Sequence, residues 1–117
     1  MAEMGPSISV RKDQQLTVRI EQEGSSRLLR ASGDIDLMSA WMLEGELDRA
    51  FGCHASLIAL DLGDVDFIDA AGLGVLVSAA KRFREGGDRL FMWLGPGAAV
   101  RRIIKLSGVE GELPLTG

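Results

Sequence analysis

The feature that most constrains this fold is a hydrophobic period that switches from two to about 3.6 and back, three times. "LTVRIEQ", Leu16 to Gln22, alternates apolar and polar residues as a half-exposed strand does. Glu23 to Ser26 reads as a turn, and "RLLRASGDI", Arg27 to Ile35, as the hairpin partner. From Leu37 to Phe51 the spacing is helical, with Ala40, Leu43, Leu47 and Ala50 on one stripe and Asp36 at the N-cap position. "SLIALDL", Ser56 to Leu62, is nearly continuous apolar sequence, which suits a central strand covered on at least one face. Leu73, Leu76, Val77, Ala80 and Phe83 then recur at helical spacing until "EGG", Glu85 to Gly87, breaks the helix. "RLFMWL", Arg89 to Leu94, is another buried strand. Past "GPG", Gly95 to Gly97, a third helix carries Val100, Ile103, Ile104 and Ser107, with Gly108 just beyond its end. "GELPL", Gly111 to Leu115, is a short last strand that Pro114 confines to an edge.

The resulting order, β-β-α-β-α-β-α-β, predicts an α/β fold with parallel pairing in its second half. A chain of 117 residues, 46% hydrophobic, is expected to form one domain with a core of its own. Residues 1–13 are expected to be a flexible leader and residues 14–117 the domain.

Composition removes several function classes. A single cysteine, Cys53, permits neither a disulfide framework nor a zinc cluster, so a reducing, cytoplasmic setting is expected. No apolar run has the length of a signal peptide or of the roughly 20 residues that span a membrane. A net charge of -4 argues against a nucleic-acid binder. The terminal "LPLTG", Leu113 to Gly117, fits a sorting signal, but the export peptide and hydrophobic tail that such a signal works with are absent from the sequence. It is read as coincidence ahead of a tag or a truncation scar.

The candidate sites separate on chemistry. Asp61, Asp64, Asp66 and Asp69 crowd into nine residues, but Ile68 and Val75 stand where a calcium loop needs oxygen ligands. A magnesium site on one or two of these carboxylates is the weaker reading. A turn at Asp64 and a helix cap at Asp69 is the stronger one. "GPGAAV", Gly95 to Val100, has two glycines of a dinucleotide fingerprint, with Val100 in place of the third. Cys53 and His54, as strand-like neighbours, point apart and make no catalytic pair. No metal or cofactor is therefore expected. In "DFIDAAGLG", Asp66 to Gly74, two alanines and two glycines open a helix. Such a smooth start admits another backbone at close range or packs tightly on its own sheet, and spacing does not choose between the two.

"GDIDLMSA" (Gly33 to Ala40), "LIALDLGDVDFIDAAGLGVLV" (Leu57 to Val77) and "AAVRRIIKLSGVEGELPL" (Ala98 to Leu115) together resemble the STAS domain, in its branch of bacterial anti-sigma factor antagonists. The likeness spans roughly residues 14–115. It implies a small mixed sheet with helices packed mainly on one face. It also implies a non-enzymatic protein that binds an anti-sigma factor serine kinase and so releases a sigma factor; a homodimer is compatible with it. In the family the kinase then phosphorylates a hydroxyl immediately before the Gly-Leu-Gly. Here that position is Ala71, preceded by Ala70, and alanine accepts no phosphate. Three explanations stay open: a permanently binding-competent antagonist, a STAS accessory subunit of a transporter or scaffold, or an engineered substitution. Many members carry a further helix after the last strand; the sequence stops before one, which fits either a truncation or the shorter architecture of transporter-associated STAS proteins. The resemblance places partner binding at Asp36, Ser39, Asp69, Ala71 and Gly72. A phosphate-handling enzyme using Asp66 and Asp69 with a metal ranks last, because no base or nucleophile is convincing.

Overall fold

In the computed structural model of the protein, which describes residues 7–53, 55–87, 89–95 and 99–116, the chain runs through six strands and three helices. They are β1 (Ser7–Lys12), β2 (Leu16–Glu23), β3 (Ser26–Ile35), α1 (Ala40–Gly52), β4 (Leu57–Ile68), α2 (Ala70–Gly86), β5 (Arg89–Trp93), α3 (Ala99–Leu106) and β6 (Leu115–Thr116), with a 3-10 turn at Glu110–Glu112 before β6. The strands lie in sequence order across one sheet. β1, β2 and β3 pair antiparallel, and β3 through β6 pair parallel. Each helix therefore connects two neighbouring parallel strands, as the alternating pattern requires.

One sheet face is apolar and covered. Leu16, Val18, Ile20, Leu29, Ala31, Ile58, Leu60, Leu62, Leu90 and Met92 are all buried. They share one core cluster with the helix stripes, including Leu43 and Leu47 of α1, Leu76 and Phe83 of α2, and Val100 and Ile104 of α3. On the same strands Arg19, Arg30, Phe91 and Trp93 alternate with these and are exposed. The turn between β2 and β3 is Gly24–Ser25, with Gly24 at φ 60°. α2 ends at Gly87, in the left-handed conformation at φ 76°, whose N–H returns to the Arg84 carbonyl. Among the described residues no helix is long and apolar enough to cross a membrane. His54, Pro96 and Gly97, with the readings attached to them, lie outside the described residues.

Several expectations change, among them the last strand, which is confined to Leu115–Thr116 where Gly111 to Leu115 is expected. The leader expected over residues 1–13 is in part a strand: Ser7–Lys12 pairs with Thr17–Gln22 along the sheet edge. Its six residues are all exposed, so it has no buried-face alternation to read. A polar tie holds it instead. Arg11 reaches Glu46 of α1 at 3.2 Å, and Glu46, 5% exposed, also accepts from Arg49 Nη1 at 2.7 Å. A buried carboxylate needs such partners. The strand expected to end at Leu62 runs on to Ile68. Register shifts against β3 between Arg30 and Ser32 and between Gly33 and Asp34 let β4 carry extra residues while Val65 and Ile68 stay buried. Gly33, at φ 105°, lies where an added Cβ would stand 2.2 Å from the Gln15 carbonyl oxygen.

Arg11→Ala is expected to speed amide exchange across β1 by about 10-fold or more, with a loss of less than about 1 kcal/mol in global stability. Native-state hydrogen exchange and urea unfolding measure the two. Unchanged β1 protection would show that the strand needs no tie to α1.

Candidate functional site

β3 and β4 are parallel neighbours, so the turns that follow them emerge side by side at one end of the sheet. Asp69 joins the two. Its Oδ1 accepts the Gly72 N–H at 3.0 Å, capping α2, and its Oδ2 accepts the Leu37 N–H at 3.0 Å from the turn after β3. The Asp69 N–H donates to the Ile35 carbonyl at 3.2 Å. One residue thus closes the corner from both sides.

The turn between β3 and α1 has its own lock. Asp36 Oδ1 accepts the Met38 N–H at 2.9 Å, an Asx turn, and its carbonyl accepts from Ser39 and Ala40 at 3.0 and 2.7 Å. α1 therefore begins at Ala40 rather than Leu37, and Ser39, not Asp36, holds the N-cap position without a side-chain cap bond. The Ser39 hydroxyl donates to the Asp34 carbonyl at 2.6 Å and accepts the Asp36 N–H at 3.0 Å.

This lock turns Leu37 and Met38 outward, and Trp41 points out from the first turn of α1, off its buried stripe. Leu37 is 76% exposed, Met38 70% and Trp41 64%, with the Trp41 Nε1–H on the Met38 carbonyl at 3.0 Å. Phe67, at the end of β4, is also exposed. Beside them the first turn of α2 presents Ala70, exposed, and Ala71, half-buried against the core. Asp34, Asp36, Asp66 and Asp69 gather at this end and make it acidic. Leu37 lies beside the α2 N-terminus through its N–H on Asp69, Met38 lines a hollow with Asp13, Gln14 and Gln15, and Trp41 lines one with Arg11 and Lys12; exposed apolar side chains of this kind suit a protein partner better than a small polar substrate.

The family described as "Mlab, STAS domain" matches residues 18–116. The chain belongs to the STAS domain family. It is 26% identical over 95 residues to the anti-sigma-F factor antagonist RsfB of Mycobacterium tuberculosis, across 81% of this chain and 76% of that protein. It matches the crystal structure of an anti-sigma factor antagonist from Mycobacterium paratuberculosis with a TM-score of 0.73 at 26% identity, over 86% of this chain and 84% of that one. Unphosphorylated SpoIIAA shares the fold, with a TM-score of 0.63 at 13% identity over 95% and 89% of the two chains.

Within this STAS domain the five residues expected to meet a partner are brought to one corner, but not to one surface. Asp36, Asp69 and Ala71 are half-buried, whereas Ser39 and Gly72 are buried. Gly72 faces its own sheet: an added Cβ would lie 2.5 Å from the Ile35 carbonyl oxygen and 2.5 Å from Ile68 Cγ1. That resolves the question left by spacing, in favour of tight packing at Gly72. Gly74 faces open space. Leu37, Met38 and Trp41 were absent from the expected surface. Their signal was available, since all three are apolar and lie off the Ala40–Leu43–Leu47–Ala50 stripe. The aspartates do not converge on a cation. Asp61 accepts the Gly63 N–H at 2.8 Å and lies 3.6 Å from Arg30, and Asp69 spends both oxygens on backbone N–H groups.

Gly72→Ala is expected to cost about 1–3 kcal/mol, because the methyl meets backbone that cannot yield. Gly74→Ala, in the same helix, is expected to gain up to about 1 kcal/mol. Urea unfolding of the two variants compares them directly, and equal effects would place the Gly72 contact in doubt.

Proposed function

We propose that this STAS domain is an anti-sigma factor antagonist-like regulatory protein that binds an anti-sigma factor serine kinase through the β3–β4 corner and so releases a sigma factor. The observation that carries this reading is the exposed apolar trio Leu37, Met38 and Trp41, which runs from the α2 N-terminus at Leu37 towards β1 at Trp41. The names of the relatives supply the class of partner. Asp36, Ala71 and the trio form the contact surface, while Ser39, Asp69 and Gly72 set its shape. The protein acts by binding, in the cytoplasm, with no catalysis and no cofactor.

Ala71 decides how such a corner is regulated. A phosphate there would add about -1.5 to -2 charges. The free N–H groups of the first α2 turn would hold that charge, but an apolar interface pressed against it would not. A methyl group takes no phosphate, so the corner stays in its binding-competent form. Control then rests with the abundance of the protein or with the partner.

Calorimetry with the cognate kinase tests the placement. Ala71→Glu and Trp41→Ala are each expected to weaken binding by about 10-fold or more, roughly 1.4 kcal/mol, with circular dichroism unchanged. Unchanged affinity in both variants sinks the proposed surface. Affinity capture from the native cell should recover a serine kinase without its sigma factor; a transport ATPase in its place would overturn the choice of partner.

Supplying the hydroxyl tests the regulatory half. With kinase and ATP, Ala71→Ser is expected to gain one phosphate by mass spectrometry, and the parent chain none between residues 66 and 74. An introduced serine that stays unmodified while the kinase still binds would argue against family-style recognition of this corner.

A further inference from the structure

The sheet face opposite the helices carries an open surface that the corner does not use. Residues in register across a sheet point to the same side. One row is therefore Val10, Arg19, Arg30, Asp61 and Trp93, and the next is Ile8, Glu21, Leu28, Ala59 and Phe91. Both flanks are apolar and uncovered: Ile8 and Val10 at the β1 edge are 53% and 51% exposed, and Phe91 and Trp93 on β5 are 44% and 42% exposed. Between the flanks the charges are balanced, two arginines against two acids. Arg19 lies 3.5 Å from Glu21, and Arg30 lies 3.6 Å from Asp61.

We propose that this face binds a second copy of the chain, sheet on sheet, about a two-fold axis that crosses the strands between the two rows. This axis lays each strand on its own counterpart, running the opposite way. Val10 then meets Ile8 of the second copy, Trp93 meets Phe91, and Arg19 meets Glu21. The apolar flanks fall on apolar flanks and the β2 charges on their opposites, while Arg30 and Asp61, an ion pair within each chain at 3.6 Å, fall on Leu28 and Ala59. The other simple axes match the two faces less well. An axis along β3 sets Arg30 on Arg30, an axis along β4 sets Asp61 on Asp61, and one between them sets the β2 charges on the β5 aromatics. Neutrality of the patch favours a like partner over a strongly charged one, because two copies of a charged face would repel.

The patch is small. Five strands by about five residues cover roughly 24 × 17 Å, on the order of 400 Å² of flat area per copy. That is about half of a standard interface per partner, so the dimer is weak and concentration-dependent. This proposal does not rest on the identity of the corner's partner.

Sedimentation equilibrium of the full chain tests it, with a charge exchange as the decisive arm. The parent is expected to rise towards twice the 12.6 kDa chain mass as concentration increases through the micromolar range. Arg19→Glu alone and Glu21→Arg alone are each expected to stay monomeric, because each places like charges face to face at both symmetry-related positions. Mixed one to one, they are expected to associate. The introduced glutamate then faces the introduced arginine, and the native Glu21 of one variant faces the native Arg19 of the other. An effect confined to the Arg19–Glu21 pair within one chain cannot produce that recovery. Phe91→Glu, at an exposed position distant from the charges, is expected to abolish dimerisation independently. A parent that remains at 12.6 kDa up to about 1 mM overturns the proposal. So do single variants that still dimerise, or a mixture that does not.

Discussion

The corner depends on one carboxylate placed between two turns. Parallel strands deliver their following turns to the same end of a sheet, but nothing in parallel pairing fixes how those turns sit against each other. Asp69 does so by giving one oxygen to Gly72 and the other to Leu37. Hydrogen bonds to an ionised group contribute more than neutral ones, about 1.5–3 kcal/mol each. The carboxylate reaches both turns because α2 lies close on the sheet, and α2 lies close because Gly72 lacks a Cβ against Ile35 and Ile68. The cap, the close approach and the loop position are thus one arrangement rather than three.

The exposure of Leu37, Met38 and Trp41 follows from it. Three large apolar side chains left in water forgo roughly 1.5–3 kcal/mol each that burial would contribute. Continuing α1 backward through Leu37 would redirect Leu37 and Met38, but the Asx turn at Asp36 and the Ser39 hydroxyl between Asp34 and Asp36 oppose that path, while Trp41, already in α1, points out by its helical phase. Polar ties therefore hold an apolar surface outward. Such a surface becomes stabilising when a partner covers it, which is the energetic pattern of an interaction site.

Much of this architecture was legible from period and punctuation. The hairpin, the three helical stripes, the stop at Gly87 and the parallel half of the sheet all follow from residues whose burial alternates strongly. Legibility failed where polar contacts replace burial. β1 has no buried face and is held by Arg11 and Glu46, 35 residues apart, a pairing that no local pattern announces. β4 reads short in sequence because its register shifts break the alternation while Val65 and Ile68 remain inside. At the corner, residue type locates Asp69 correctly as a cap and leaves Gly72 open, while the family resemblance sets Ser39 and Gly72 on the outside, where the fold needs them within. A small or hydroxylated residue at a helix start is ambiguous in sequence because bonding the chain to itself and offering it to a partner call for the same chemistry.

The two surfaces also constrain each other geometrically. The corner lies beyond the C-terminal ends of β3 and β4, while the open face lies on the flank of the sheet, so occupying one leaves the other free. A two-fold axis that crosses the strands reverses their direction in the second copy, which sends the two corners to opposite ends of a dimer. Each corner then meets its own partner without obstruction from the other. An axis along the strands would instead set both corners at the same end, where two partner proteins would compete for space. The charge pattern of the outer face and the access required at the corner select the same axis, although they rest on different residues and on unrelated physical terms.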